Sequence, residues 1–225
     1  NLLKTLNEFK AEHGCVVVME TKTGRIKAIS NLGKLKETDS TYFETENYAI
    51  KESHEPGSTF KLVDMIALLD DHKIDTSKVY DSKGGIVVYG KDKVRDSHEG
   101  GYGRISLARG FEVSSNTIMV QAVYENYKNN PQEFIDRISN MGLDKPLGLP
   151  FQGEGKPIVH KPGEKGWNRN TLPWMAFGYS VAMTPMQTLT LYNAVANNGE
   201  MVKPQFVSEI KEWNKVIKTF NKEVI

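Results

Sequence analysis

The stretch Pro56-Gly57-Ser58-Thr59-Phe60-Lys61 constrains this chain more than any other, because it joins a turn to the opening of an apolar helix. Proline turns Glu55 away from helical backbone, and glycine permits a sharp bend. The run that follows carries Phe60, Leu62, Val63, Met65, Ile66, Ala67, Leu68 and Leu69, apolar enough for a buried helix. Ser58 then falls at the helix start, with Lys61 one turn further on the same face. A serine attacks only once its proton is taken, and a lysine takes it only if burial or nearby positive charge lowers its pKa to about 7 to 8. Unpaired N–H groups at a helix N-terminus disfavour an added cation and favour an oxyanion. The plain alternative is that Ser58 is an N-cap. Ser208 and Lys211 repeat the S-x-x-K spacing, but in a stretch that reads as extended, where residues three apart point to opposite faces.

A second element separates the two copies. Ser114-Ser115-Asn116 is the one S-x-N in the chain, and it closes a short helical segment through Leu107, Ala108, Phe111 and Val113. With S-x-x-K first and S-x-N second, the chain resembles the penicillin-binding protein transpeptidases, whose signature adds K-[ST]-G further on. The likeness extends to Gly178-Tyr179-Ser180-Val181-Ala182-Met183-Thr184-Pro185-Met186-Gln187 and to Asn197-Asn198-Gly199, so it spans nearly the whole chain. It is closest to class B enzymes, and among them to the division (septal) type.

The resemblance implies an α+β fold shared with the serine β-lactamases, a helical subdomain beside an antiparallel sheet. It implies a D,D-transpeptidase that cross-links peptidoglycan stem peptides ending in D-Ala-D-Ala and is acylated by β-lactams. Ser58 would be the nucleophile, Lys61 the base, Ser114 a proton relay, and Asn116 a hydrogen-bond partner of substrate and of Lys61. No cofactor or metal is implied. A septal glycan polymerase and other division proteins are expected partners, and the extracytoplasmic face of the inner membrane is the expected location, with an anchor upstream of Asn1. Rival readings are a β-lactamase or D,D-carboxypeptidase of the same fold, or a β-lactam sensor. Glu164 and Asn168 are similar in spacing to the water-activating pair of one β-lactamase class, but Lys165, Gly166 and Trp167 intervene, without that class's leucine.

The literal K-T-G, Lys22-Thr23-Gly24, comes before both other motifs and suits a hairpin turn, so the family role is not carried onto it. The family's K-[ST]-G strand is expected beyond Ile225, which makes these 225 residues an incomplete single domain with an open sheet edge. That strand supplies one oxyanion donor in the family. Losing such a donor costs about 3 to 4 kcal/mol, so the chain by itself is expected to be nearly inactive.

Composition bounds the rest. Basic and acidic residues balance at 29 and 28 with no long basic run, which gives no support to nucleic-acid binding. No apolar run is long enough to cross a bilayer. A single cysteine, Cys15, rules out an internal disulfide and reads as a buried strand residue beside three valines. None of the five histidines, including His98 in a polar loop, lies at metal-ligand spacing.

Along the chain, Leu2, Leu3, Leu6 and Phe9 predict an amphipathic opening helix ending before Gly14. Residues 15–20 and 25–30 predict a hairpin, and 31–55 a polar surface loop. Residues 86–89 read as extended. Helices are predicted over 116–127 and 131–141, the latter with Pro131 in its first turn and Gly142 past its end. The stretch 142–170 reads as a long loop at a cleft rim. Thr184-Pro185-Met186-Gln187 predicts a capping box opening a helix whose buried face holds Met186, Leu189, Tyr192 and Ala196. A second hairpin is predicted around Trp213-Asn214-Lys215.

Overall fold

A computed structural model describes residues 1–36 and 38–225. Helix α1 (Leu2–Phe9) precedes strands β1 (His13–Met19) and β2 (Ile26–Gly33), an antiparallel hairpin. A short helix α2 (Tyr48–Lys51) follows. A 3-10 turn over Gly57–Phe60 then runs straight into α3 (Lys61–Asp70). Strands β3 (Val79–Asp81), β4 (Ile86–Tyr89), β5 (Asp92–Arg95) and β6 (Arg104–Ser106) pair antiparallel, β3 with β6 and β4 with β5. Next come α4 (Leu107–Glu112), α5 (Asn116–Tyr127), α6 (Pro131–Asn140), β7 (Ile158–Val159), α7 (Thr171–Met175) and β8 (Val181–Ala182), with β7 paired to β8. Last are α8 (Pro185–Ala196) and the hairpin of β9 (Glu209–Glu212) and β10 (Lys215–Thr219).

These elements pack into two compact units, each assembled from separated stretches of chain. One comprises Asn1–Ser53, Lys145–Lys156 and Met183–Ile225. Its core gathers Ala49, Ile50, Leu149 and Met186 against Cys15, Val17, Ile26 and Ile29 of the first hairpin. Cys15 is half-buried, and burial raises its thiol pKa. Lys22-Thr23-Gly24 occupies the hairpin turn, as predicted, with Gly24 at φ 73°. The capping box is present: the Thr184 hydroxyl accepts from Gln187 N at 3.1 Å, and Gln187 Oε1 accepts from Thr184 N at 3.0 Å.

Three expectations for this unit need correction. In α1 only Leu6 is buried, while Phe9 is 73% exposed. The buried face of α8 is turned from the one predicted: Met186, Thr190, Leu191 and Ala194 lie inside, whereas Tyr192 and Ala196 face outward. Three polar residues share that interior because carbonyls meet them, Gln187 donating to Lys145 O at 3.0 Å, Thr190 to Met186 O at 2.8 Å and Asn193 to Thr21 O at 2.9 Å. Residues 31–55 are not a simple surface loop, although residue 37 lies outside the described residues. Tyr42, Tyr48, Ala49 and Ile50 are core, and Asn31 Oδ1 accepts from Ala49 N at 3.1 Å. The polar composition of that stretch hid the four apolar residues that matter.

The other unit comprises His54–Asp144 and Pro157–Ala182. Helix α5 is its axis, with Ile118, Met119, Val120, Ala122 and Val123 fully buried against α3, α4, α6 and α7. Helix α6 turns Phe134, Ile135 and Ile138 inside. An ion-pair cluster of Asp70, Asp71 and Arg137, joined by the Tyr127 hydroxyl at 2.6 Å from Asp71, fastens α3 to α6. The 3.6-residue stripes of α3, α5 and α6 therefore build the surface from which the first turn of α3 emerges.

Candidate active site

Ser58 lies in the 3-10 turn and is exposed, so its hydroxyl is open to solvent. It does not cap the helix; its side-chain contact is Lys61 Nζ, 3.1 Å away. The tighter winding of three residues per turn stacks positions three apart almost directly, which suits this pair better than an α-turn. Lys61 itself is only 1% exposed.

The S-x-N segment closes over that amine. Ser114 sits in left-handed backbone at φ 57°, between the end of α4 and the start of α5. This conformation brings two of its atoms to Lys61 Nζ, the carbonyl oxygen at 2.6 Å and Oγ at 3.0 Å. Ser115 is the N-cap of α5, accepting from Ile118 N at 3.2 Å. Asn116, the first residue of the helix, presents Oδ1 to Lys61 at 2.6 Å, while its Nδ2 donates to the Arg95 carbonyl at 2.7 Å. The Arg95 carbonyl can only accept, so it fixes which end of the amide faces the lysine. All four residues singled out from sequence, Ser58, Lys61, Ser114 and Asn116, thus converge on one nitrogen.

Lys61 Nζ has four oxygen neighbours of two kinds. The Ser114 carbonyl and Asn116 Oδ1 are acceptors only, whereas the two hydroxyls can donate. A neutral amine has two N–H bonds and one lone pair. With both N–H bonds committed to the two carbonyl-type oxygens, the lone pair is left for the hydroxyls of Ser58 and Ser114. Burial pulls the Lys61 pKa down to about 8, against the opposing pull of Asp64 and Asp96. The neutral form is therefore within reach near physiological pH.

Sequence reasoning missed three supports. Asp96, just after β5, accepts from Ser115 Oγ at 3.0 Å, Thr117 N at 3.0 Å and Thr117 Oγ1 at 2.8 Å, and so pins the N-terminus of α5. No spacing rule ties residue 96 to residue 116. Glu55 Oε1 accepts from Ser180 N at 3.0 Å. Beside it Gly57 N donates to Gly178 O at 3.0 Å, and a Cβ on Gly178 would stand 1.9 Å from Gly57 O. The Ser58 turn is thus seated directly on the backbone of 178–180, and only glycine fits at 178. Asp64 stands out in the sequence as an acid inside an apolar run. It is fully buried, and burial raises its pKa well above the usual carboxyl range.

The other candidates lie apart from this chemistry. Ser208 and Lys211 belong to the exposed, extended β9 segment. The Glu164 carboxylate accepts from Lys161 N at 3.2 Å, and Asn168 Oδ1 from Asn170 N at 2.8 Å, so both close local turns. Asn168 and Asn170 line a polar hollow with Asp92, Trp174 and Ser180.

A lysine amine gripped by S-x-x-K and S-x-N residues is a specific arrangement, and comparisons with known proteins agree with it. The probable peptidoglycan D,D-transpeptidase PbpC of Pseudomonas aeruginosa is 26% identical over 205 residues, covering 89% of this chain and 35% of that protein. Stage V sporulation protein D of Bacillus subtilis is 28% identical over 205 residues, covering 88% and 30%. The chain therefore spans about a third of the length of these curated relatives. Among solved structures, the apo transpeptidase domain of Burkholderia pseudomallei penicillin-binding protein 3 superposes with a TM-score of 0.75 at 20% identity, covering 90% of this chain and 56% of that one. Residues 14–225 match the penicillin binding protein transpeptidase domain, and the chain belongs to that family.

Proposed function

We propose that the protein carrying this chain is a peptidoglycan D,D-transpeptidase working through an acyl-enzyme on Ser58. The observation that carries the reading is the Lys61 amine, held 3.1 Å from an exposed serine hydroxyl and 2.6 Å from each of two acceptor-only oxygens, Ser114 O and Asn116 Oδ1. Ser58 Oγ bonds to the penultimate D-alanyl carbonyl carbon of a stem peptide as its proton passes to Lys61. The tetrahedral intermediate collapses with cleavage of the C–N bond, and Ser114 relays the proton to the departing D-alanine amine. An amine of a neighbouring stem then attacks the ester, returns Ser58 to its free state and completes the cross-link. Asn116 holds Lys61 in place and offers its amide to the substrate backbone.

The name of the Pseudomonas aeruginosa relative, a probable peptidoglycan D,D-transpeptidase, supports this substrate class, and a peptidoglycan substrate implies action outside the cytoplasm. β-Lactams acylate the same serine as mimics of the D-alanyl amide. A septal glycan polymerase and other division proteins are the partners the reading suggests. The test is covalent labelling of the full protein by a fluorescent penicillin, with the modified residue located by mass spectrometry. The expected result is a single adduct on Ser58 that Ser58→Ala abolishes. Labelling that survives Ser58→Ala, or no labelling of wild type, would sink the assignment.

A further inference from the structure

One ionisable group beside the site is left unused by this chemistry. Asp64 lies one turn beyond Lys61 in α3, a separation of about 5 to 6 Å between Cβ atoms for residues three apart. It is wholly buried, and neither carboxylate oxygen accepts a hydrogen bond. Its helix neighbours Val63, Met65, Ala67 and Leu68 are buried and apolar. A carboxylate in such surroundings is costly unless a counter-charge answers it. The counter-charge at hand is Lys61, 1% exposed, so little water screens the pair.

The four contacts of Lys61 Nζ are all neutral groups, and the formal charges bearing on it are Asp64 and Asp96. Asp96 is already answered by the Ser115 hydroxyl and by the N–H and hydroxyl of Thr117. On the helices packed against α3, Tyr127 of α5 and Arg137 of α6 are engaged with Asp71, and Glu133 of α6 pairs with Lys73. Asp64 is the acid with no hydrogen-bonding answer.

We propose that Asp64 is a positioning residue for acyl transfer, its buried carboxyl acting through Lys61 to set the pH at which that amine becomes a base. The inference rests on Ser58 and Lys61 being nucleophile and base. An ionised Asp64 holds the proton on Lys61 and opposes the burial that drives it off. The two groups titrate as a pair, and the pair's composition, more than lysine burial alone, fixes the working range.

The experiment is the rate of Ser58 acylation by a fluorescent penicillin against pH, in the full protein, for wild type, Asp64→Asn, Asp64→Ser and Asp64→Glu. Both neutral variants are expected to move the acid limb to lower pH by roughly 1 to 3 units. At pH 6 they should then label roughly ten to a hundred times faster, relative to their own plateaus, than wild type does. Asp64→Glu keeps the charge and should keep the limb near its wild-type position. An acid limb that stays put in whichever neutral variant folds overturns the proposal, and a lowered plateau with an unmoved limb does the same by reducing Asp64 to packing. Wild type that fails to label at Ser58 removes the nucleophile assignment itself, and with it this inference.

Discussion

Lys61 shows how a side chain of ordinary chemistry is brought within reach of its neutral form by its surroundings. Its depressed pKa follows from burial, and the sign of the resulting pH dependence is fixed. The amine is protonated below its pKa and inert there, so acylation of Ser58 should rise about tenfold per unit of pH up to about 8 and then level off. Arginine keeps the charge and length but cannot give up its proton, so Lys61→Arg should lose about a hundred- to ten-thousandfold in acylation rate. Stopped-flow acylation with a chromogenic β-lactam checks both expectations, and an arginine variant within tenfold of wild type would remove lysine from the base role. Asn116→Ala should act through the same nitrogen, because one of the two acceptor-only partners is gone and an N–H bond can swing toward Ser58.

At the scale of elements, the site is the meeting of two helix beginnings, α3 with its 3-10 lead and α5 with its serine cap. Asp96 ties the second in place through three donors. Asp96→Ala strands a buried N–H and two hydroxyls and should cost about 1 to 3 kcal/mol in urea unfolding, with a matching loss of acylation. Asp64→Asn should do the reverse for stability. A buried acid with a raised pKa withholds stability as pH climbs above its unfolded value, so the asparagine variant should exceed wild type by a margin that widens with pH from the ordinary carboxyl range upward. Urea midpoints from pH 4 to 8 test that slope, and parallel curves would contradict it. Helix starts of this kind were legible in the sequence, since proline, glycine, serine and threonine announce them and apolar stripes follow. What could not be read was the partner of each cap. Asp96, Glu55 and the Gly57–Gly178 contact join residues with no shared periodicity, and the four core residues of 31–55 were diluted by polar neighbours.

Across the whole molecule, neither compact unit is a continuous stretch of chain. Residues 54–144 hold every atom that touches Lys61 Nζ, yet they lack the segment 178–180 on which the Ser58 turn rests. Expressed alone, 54–144 should show no cooperative thermal transition, whereas a sharp one by circular dichroism would show that the later segment is dispensable. Gly178→Ala makes the same point without cutting the chain. A methyl 1.9 Å from Gly57 O forces the backbones apart, for a loss of about 2 kcal/mol or more and a collapse of acylation. Glu55 and the Ser180 amide that seats it are 125 positions apart in the chain. A ribosome that has already delivered the serine and lysine must still supply that distant support, so the growing polypeptide stays chemically quiet until residues 178–180 have emerged.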